Sequence, residues 1–156
     1  MLDYSLLKVI HIISATLLFG TGLGTFFFMV KANRGGHVGA IRETAKTVVL
    51  ADWLFTTPAV LIQFVTGLLL MQMLGFSFTS GWFLAVLGLF LFVGCLWLPV
   101  VWIQIQLRGM VKELPDDGVL PVRFVRLARI WEWLGYPAFG AVVVVFILMV
   151  YKPWLV

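Results

Sequence analysis

His11 is the residue of this chain best suited to hold a metal, and it stands where water does not reach. It follows Lys8 by three positions, so the two side chains share one helical face. Ser14, Leu18, Thr21 and Thr25 continue roughly along that face. Counted from Tyr4 at about 1.5 Å per residue, the imidazole lies roughly 10 Å into an apolar segment. A neutral imidazole at that depth has two roles open to it. It is a core histidine hydrogen-bonded to a neighbouring helix, or it is an axial ligand to haem iron. In the haem reading the cofactor is haem b, with Lys8 near a propionate, because a lysine near the segment end can snorkel to the headgroups. Gln63, near the middle of the second apolar segment, is the best polar neighbour for His11. His37 lies in a basic connection at the opposite end and cannot be a second axial ligand in the same chain. A bis-histidine site would need His11 of another copy.

The second polar set is acidic. Asp52 and Glu132 fall near the inner ends of the second and fourth apolar segments, with Thr25, Gln104, Arg129 and Tyr136 at similar depth. The plain expectation is an Asp52–Arg129 or Asp52–Thr25 contact. Both carboxylates sit in N-terminal turns, where the helix dipole favours negative charge. The sharper alternative is a proton relay through Asp52 and Glu132. His11 belongs to the outer half and the carboxylates to the inner half, so they cannot form one compact site.

The elements that must position these residues are four long apolar stretches: Tyr4–Val30, Val48–Met73, Trp82–Leu107 and Ile130–Tyr151. Each exceeds the roughly 20 residues that cross about 30 Å of hydrocarbon. The 156 residues are 62% hydrophobic and 12% charged, where a soluble domain has about 25% charged residues. One four-span domain over 1–156 is the natural count. The runs are apolar on all faces, without the alternation of a membrane β-strand, and a helix bonds its own backbone in lipid. Short connections make neighbours antiparallel, so an all-α integral membrane four-helix bundle is expected.

Nine of the eleven Lys and Arg residues fall in two connections, Lys31–Thr47 and Arg108–Arg129. The positive-inside rule puts both in the cytoplasm and both termini outside. The expected location is a bacterial inner (plasma) membrane, multi-pass, with the first stretch retained as a helix, since it is too long for a signal-peptide core. The net charge of +4 meets anionic lipid headgroups rather than nucleic acid. Arg123, Arg126 and Arg129 line one side of a helix opening at Pro121, either against headgroups or as a docking site for a protein partner or an anionic substrate. Cys95 is the only cysteine, so no intrachain disulfide forms. Three prolines, Pro58, Pro99 and Pro137, are expected to kink their helices. Gly20-x-x-x-Gly24 permits close helix contact. Trp82 and Trp154 fit the outer interfacial belt, and Trp131 and Trp133 the inner one. Trp97 and Trp102 lie deeper, as packing or as a stack on a flat ligand. There is no Gly-rich phosphate loop, Cys/His cluster, nucleophile–base pair or Arg-rich voltage-sensing span.

Leu7-Lys8-Val9-Ile10-His11-Ile12-Ile13-Ser14-Ala15, with Leu18–Gly22, Val49–Thr56 and Trp97–Trp102, resembles a bacterial family of predicted integral membrane proteins of unknown function over nearly the whole chain. The Lys-x-x-His opening is also similar to HemJ-type protoporphyrinogen oxidase. In that family a first-helix histidine is implicated in haem b binding, which the resemblance carries onto His11. The third span here has no charged residue where that family has a lysine in a later helix. Membrane domains of the copper-resistance D type also show an early histidine.

Two functions of different classes follow. One is a haem b redox protein that transfers electrons, or oxidises a lipophilic substrate and hands electrons to quinone. The other is a non-catalytic scaffold or accessory subunit, a homo-oligomer or bound to a membrane protein partner. A copper-handling or transport module is a third, on Met71 and Met73 near the outer face. The topology has a direct check. A reporter active only outside the cytoplasm should work when fused at the C-terminus and fail at Gly118, and the reverse pattern would invert the orientation.

Overall fold

A computed structural model describes residues 3–152. Helix α1 spans Tyr4–Gly35, α2 Val38–Ala51, α3 Thr57–Met73, α4 Gly81–Val111 and α5 Val122–Tyr151, with a π-helical turn, Asp52–Thr56, joining α2 to α3. The described residues contain no strand. The α2–π–α3 segment is one rod of 36 residues, so four helices are long and apolar enough to cross a membrane. The fold is the all-α, multi-pass bundle expected from the four apolar runs.

The helices are longer than those runs. Much of Lys31–Thr47, read as a loop, is helix: α1 continues to Gly35 and α2 begins at Val38. The break is a glycine cap. Gly36 takes φ +73°, which glycine adopts without strain, and its N–H reaches Ala32 O at 3.3 Å. Helix α2 then buries Val38, Ile41, Ala45, Val48 and Val49, the spacing of one helical stripe, while Glu43 and Lys46 pair on the outer side at 2.7 Å. Similarly α5 starts at Val122 rather than Ile130, with Pro121 as its N-cap. At 32 residues, α1 is about 48 Å long and exceeds the roughly 30 Å of hydrocarbon, and its Gly35 end, the end expected to be inner, carries Lys31 and Arg34.

That inner end contains the best-packed part of the molecule. Met29, Val38, Ile41, Ala45, Val48, Ile103, Leu107, Val111, Phe124, Ala128 and Trp131 form one buried cluster. Arg42 locks it. Its Nε donates to Val111 O at 2.9 Å and one terminal nitrogen to Asp116 Oδ1 at 2.8 Å, while the other donates to Leu114 O. One guanidinium therefore caps the C-terminus of α4 and pins the following turn, as its planar fork of donors allows.

At Pro58 the second span changes its helical winding. Proline lacks an N–H and crowds the carbonyl four residues back. The chain answers by widening the preceding turn, so the Thr57 N–H bonds to Asp52 O, five residues back. Asp52 and Thr56, the two ends of that turn, are both buried. Pro99 and Pro137 remain inside α4 and α5.

Helix α3 packs on α1, α4 packs along α5, and α2 bridges α1 and α4. Two tryptophans expected in the interfacial belts are instead buried. Trp82 donates its indole N–H to Leu148 O at 2.6 Å, beside Met71 and Val86. Trp131 stacks on Phe26 at 5.2 Å. Both lie between helices rather than on the perimeter, whereas Trp133 is exposed. Trp154 lies outside the described residues. No atom comes within 4 Å of where a Cβ would stand at Gly20 or Gly24, so these glycines meet no helix of this chain. A Cβ at Gly135, by contrast, would overlap the Phe26 ring.

Arg42→Ala should destabilise the fold by about 1–2 kcal/mol, because it leaves the Val111 and Leu114 carbonyls without their donor, and Arg42→Lys should recover little. Thermal unfolding in detergent reads both. Gly135→Ala should cost about 1–3 kcal/mol by overpacking. A companion Phe26→Leu should relieve that cost, and no relief would place the strain elsewhere.

Candidate functional site

The α1–α3 contact is built around His11. Its Nδ1 lies 2.8 Å from Thr66 Oγ1, and its Nε2 lies 2.9 Å from the Gln63 amide nitrogen. Ser14 Oγ donates to Gln63 Oε1 at 2.6 Å, and Thr66 Oγ1 donates its own proton to Ile62 O at 2.6 Å. One assignment uses all four side chains. The threonine hydroxyl, donating to Ile62 O, accepts from Nδ1–H, and the amide NH2 donates to the Nε2 lone pair. Ser14 Oγ also stands 2.9 Å from His11 O, so its one proton is shared between that carbonyl and Gln63 Oε1. In this assignment the imidazole is neutral with its proton on Nδ1. Gly67 lets α3 approach, since a Cβ there would stand 3.4 Å from His11 Cε1.

The partner that sequence reasoning missed is Thr66. It sits three residues after Gln63 and hence on the same face, a signal present in the spacing. Lys8 is exposed, with its Nζ 5.8 Å from the centre of the Tyr4 ring. No group of three or more His, Cys, Asp or Glu side chains comes together among the described residues. His11 is therefore the metal-ligand candidate by itself. His37 is the N-cap of α2, beyond the far end of α1, and from His11 to Gly35 alone is about 36 Å along the helix.

The inner polar set divides. Asp52, Gln104 and Thr25 line one half-enclosed cavity of about 100 Å³ with Thr56 and Trp131. Asp52 Oδ1 accepts from Thr56 Oγ1 at 2.9 Å rather than meeting Thr25 or Arg129. The Thr25 hydroxyl is turned back onto Thr21 O at 2.9 Å, the local bond that threonine makes within a helix. Glu132 lies outside the cavity. It takes Arg34 at 2.5 Å and the Tyr136 hydroxyl at 3.0 Å. Arg129 is exposed, and among the described residues it joins no ion pair. Of the five residues expected at this depth, Asp52, Thr25 and Gln104 line one cavity, while Glu132 and Arg129 stand apart from it. Glu132 is drawn to Arg34 at the α1 end, leaving Asp52 with hydroxyl and amide neighbours. An open cleft of about 490 Å³ between the inner end of α1 and α2 is lined by Lys31, His37 and Glu43, all exposed.

Thr66→Val should remove the acceptor for Nδ1–H and lower stability by about 0.5–1.7 kcal/mol, the range of side-chain hydrogen bonds between membrane helices. Equilibrium unfolding in micelles measures it. A Thr66→Val protein as stable as the wild type would show the bond to be energetically idle.

No curated protein and no solved structure matches this chain. One family model does, and it spans residues 5–153. A closed polar chain between two of four apolar helices is a design for the membrane interior, and in keeping with it the chain belongs to the family described as predicted integral membrane protein (DUF2269).

Proposed function

We propose that this protein is a small haem b-binding protein of the bacterial inner membrane. His11 would hold it through a ring nitrogen, and the protein would transfer electrons or oxidise a lipophilic substrate with quinone as the partner carrier. The observation that supports this reading is the orientation of the ring. Nδ1–H is anchored on Thr66, as metal-binding histidines anchor their far nitrogen on a neighbouring acceptor. Nε2 is left facing a side-chain amide that rotates away about its own torsions. Thr66 then holds the tautomer and the ring plane. Gln63 gives up the Nε2 lone pair and keeps its bond to Ser14. Lys8, one turn outward, offers its ammonium to a carboxylate at headgroup level. Haem, when bound, supplies a one-electron couple. This chain offers one histidine at that depth, so any further ligand would come from another group or another copy.

A second reading has its own observation. Both nitrogens of His11 already have partners, and the network fastens α1 to α3 without any cofactor. The face of α1 at Gly20 and Gly24 also stays open, as a helix does that packs on another chain. In this reading the protein is a membrane scaffold or accessory subunit.

The two separate on one sample. Protein purified from haem-replete cells should show a Soret band that shifts on dithionite reduction. His11→Ala should abolish it, and Gln63→Leu should retain it, because only the Nε2 competitor is lost. A colourless wild type together with a destabilised Gln63→Leu would favour the scaffold.

A further inference from the structure

The open cleft between α1 and α2 changes character along its length. On α1 it runs from Thr25 to Gly35, ten residues or about 15 Å. The facing wall on α2 includes Ala40, Glu43, Thr44 and Thr47. Phe28 is the last strongly exposed apolar side chain of α1, and Lys31 follows one turn on along the same face. The threonines add no free donor to the walls. Thr25 bonds to Thr21 O, Thr44 to Ala40 O at 2.8 Å and Thr47 to Glu43 O at 2.9 Å, so each hydroxyl proton is spent on its own helix. Charge is confined to the other end, where Lys31 and Glu43 line the cleft with His37. The Glu43 carboxylate is taken by Lys46 at 2.7 Å. Lys31 joins no ion pair among the described residues. The cleft therefore presents one uncompensated ammonium at its mouth and an apolar wall below it.

An occupant that satisfies both ends is an amphiphile with an anionic head. The volume of about 490 Å³ lies in the range of roughly 300–1,000 Å³ that holds small-molecule ligands, far more than one ion fills. The level is that of lipid headgroups. From Lys8 to Phe28 is twenty residues or about 30 Å, one thickness of hydrocarbon, and Lys31 stands just beyond it. Lysine takes a phosphate as a point charge. A zwitterionic lipid brings an ammonium of its own, for which the paired Glu43 leaves no free carboxylate. We propose that this cleft binds one anionic phospholipid from the leaflet at the Gly35 end of α1. Its phosphate meets the Lys31 ammonium, and the first part of an acyl chain lies along Phe28. This is a concave site for a single lipid, unlike the general headgroup contact open to exposed residues such as Arg123. On α1 the cleft begins at Thr25, fourteen residues or about 21 Å from His11, so the site stands whether or not His11 binds haem.

Native mass spectrometry of the full chain in neutral maltoside micelles tests this with dioleoyl phosphatidylglycerol and dioleoyl phosphatidylethanolamine. The two lipids share their acyl chains and differ in headgroup charge. The first lipid bound should favour phosphatidylglycerol by about fivefold, the weight of one lysine near a membrane surface. Lys31→Gln should erase that preference, and Lys31→Arg should keep it. Arg123→Gln, which removes an exposed charge outside the cleft, should leave it unchanged. Ala40→Trp, which fills the cleft from an exposed position, should weaken the first site for both lipids. Glycerol phosphate, a headgroup without chains, should not displace the bound lipid at equal concentration. Equal affinity for the two lipids in wild-type protein would overturn the proposal. So would a preference that survives Lys31→Gln, or a first site untouched by Ala40→Trp, since either would describe a diffuse lipid belt. Displacement by glycerol phosphate would overturn it too, by making this a site for a soluble phosphate.

Discussion

The constraint on which the rest depends is the absence of water inside the bilayer. Every buried donor and acceptor must find its partner within the chain or in something the chain binds. The helices satisfy the backbone. The few polar side chains then have to be paired by geometry, and the outer half does so completely. Ser14, Gln63, His11 and Thr66 form a continuous line of hydrogen bonds between α1 and α3. The inner half pairs Asp52 with Thr56 and stops short, leaving the amide oxygen of Gln104 and the indole N–H of Trp131.

Packing strength is distributed unevenly along the bundle axis. The buried cluster from Met29 to Trp131 gathers at the inner end, where α2 is amphipathic in the manner of a soluble helix and Arg42 ties it to the end of α4. The outer end has a smaller cluster around Trp82. Between them the helices present Leu61 and Leu98 outward. Lipid is as apolar as these side chains, so association there rests on van der Waals fit and hydrogen bonds rather than on burial from water. The His11 network lies in the half with less packing, where a few hydrogen bonds between α1 and α3 carry a larger share of the contact.

Much of the fold was legible in the sequence. Four continuous apolar runs could only be spans, and the match of Gln63 to His11 followed from depth alone. The helix ends were less legible, because hydropathy falls where a helix leaves the lipid while helical structure does not. Val38, Ile41, Ala45 and Val48 record the continuation in their spacing rather than in their mean. The burial of Trp82 and Trp131 was not legible. An indole at the interface and an indole between two helices have the same position in the chain, and only the partner helix tells them apart. Asp52 and Glu132 looked equivalent by depth. Arg34, reached across α1, separated them.

The π-helical turn has a consequence in rotation. An α-helix advances about 100° per residue, and the widened turn holds one residue more than an α-helical turn would. Every side chain of α3 is therefore phased about one residue step away from where an unbroken helix through α2 would place it. Along this one rod, α2 packs on both α1 and α4, while α3 packs on α1. A single-residue deletion between Asp52 and Thr56 would restore an α-helical turn and swing Gln63 and Thr66 away from His11, without altering any residue of the site. The spacing between the inner cavity and the outer histidine is thus kept as an angle as much as a distance, and one turn beside Pro58 sets that angle.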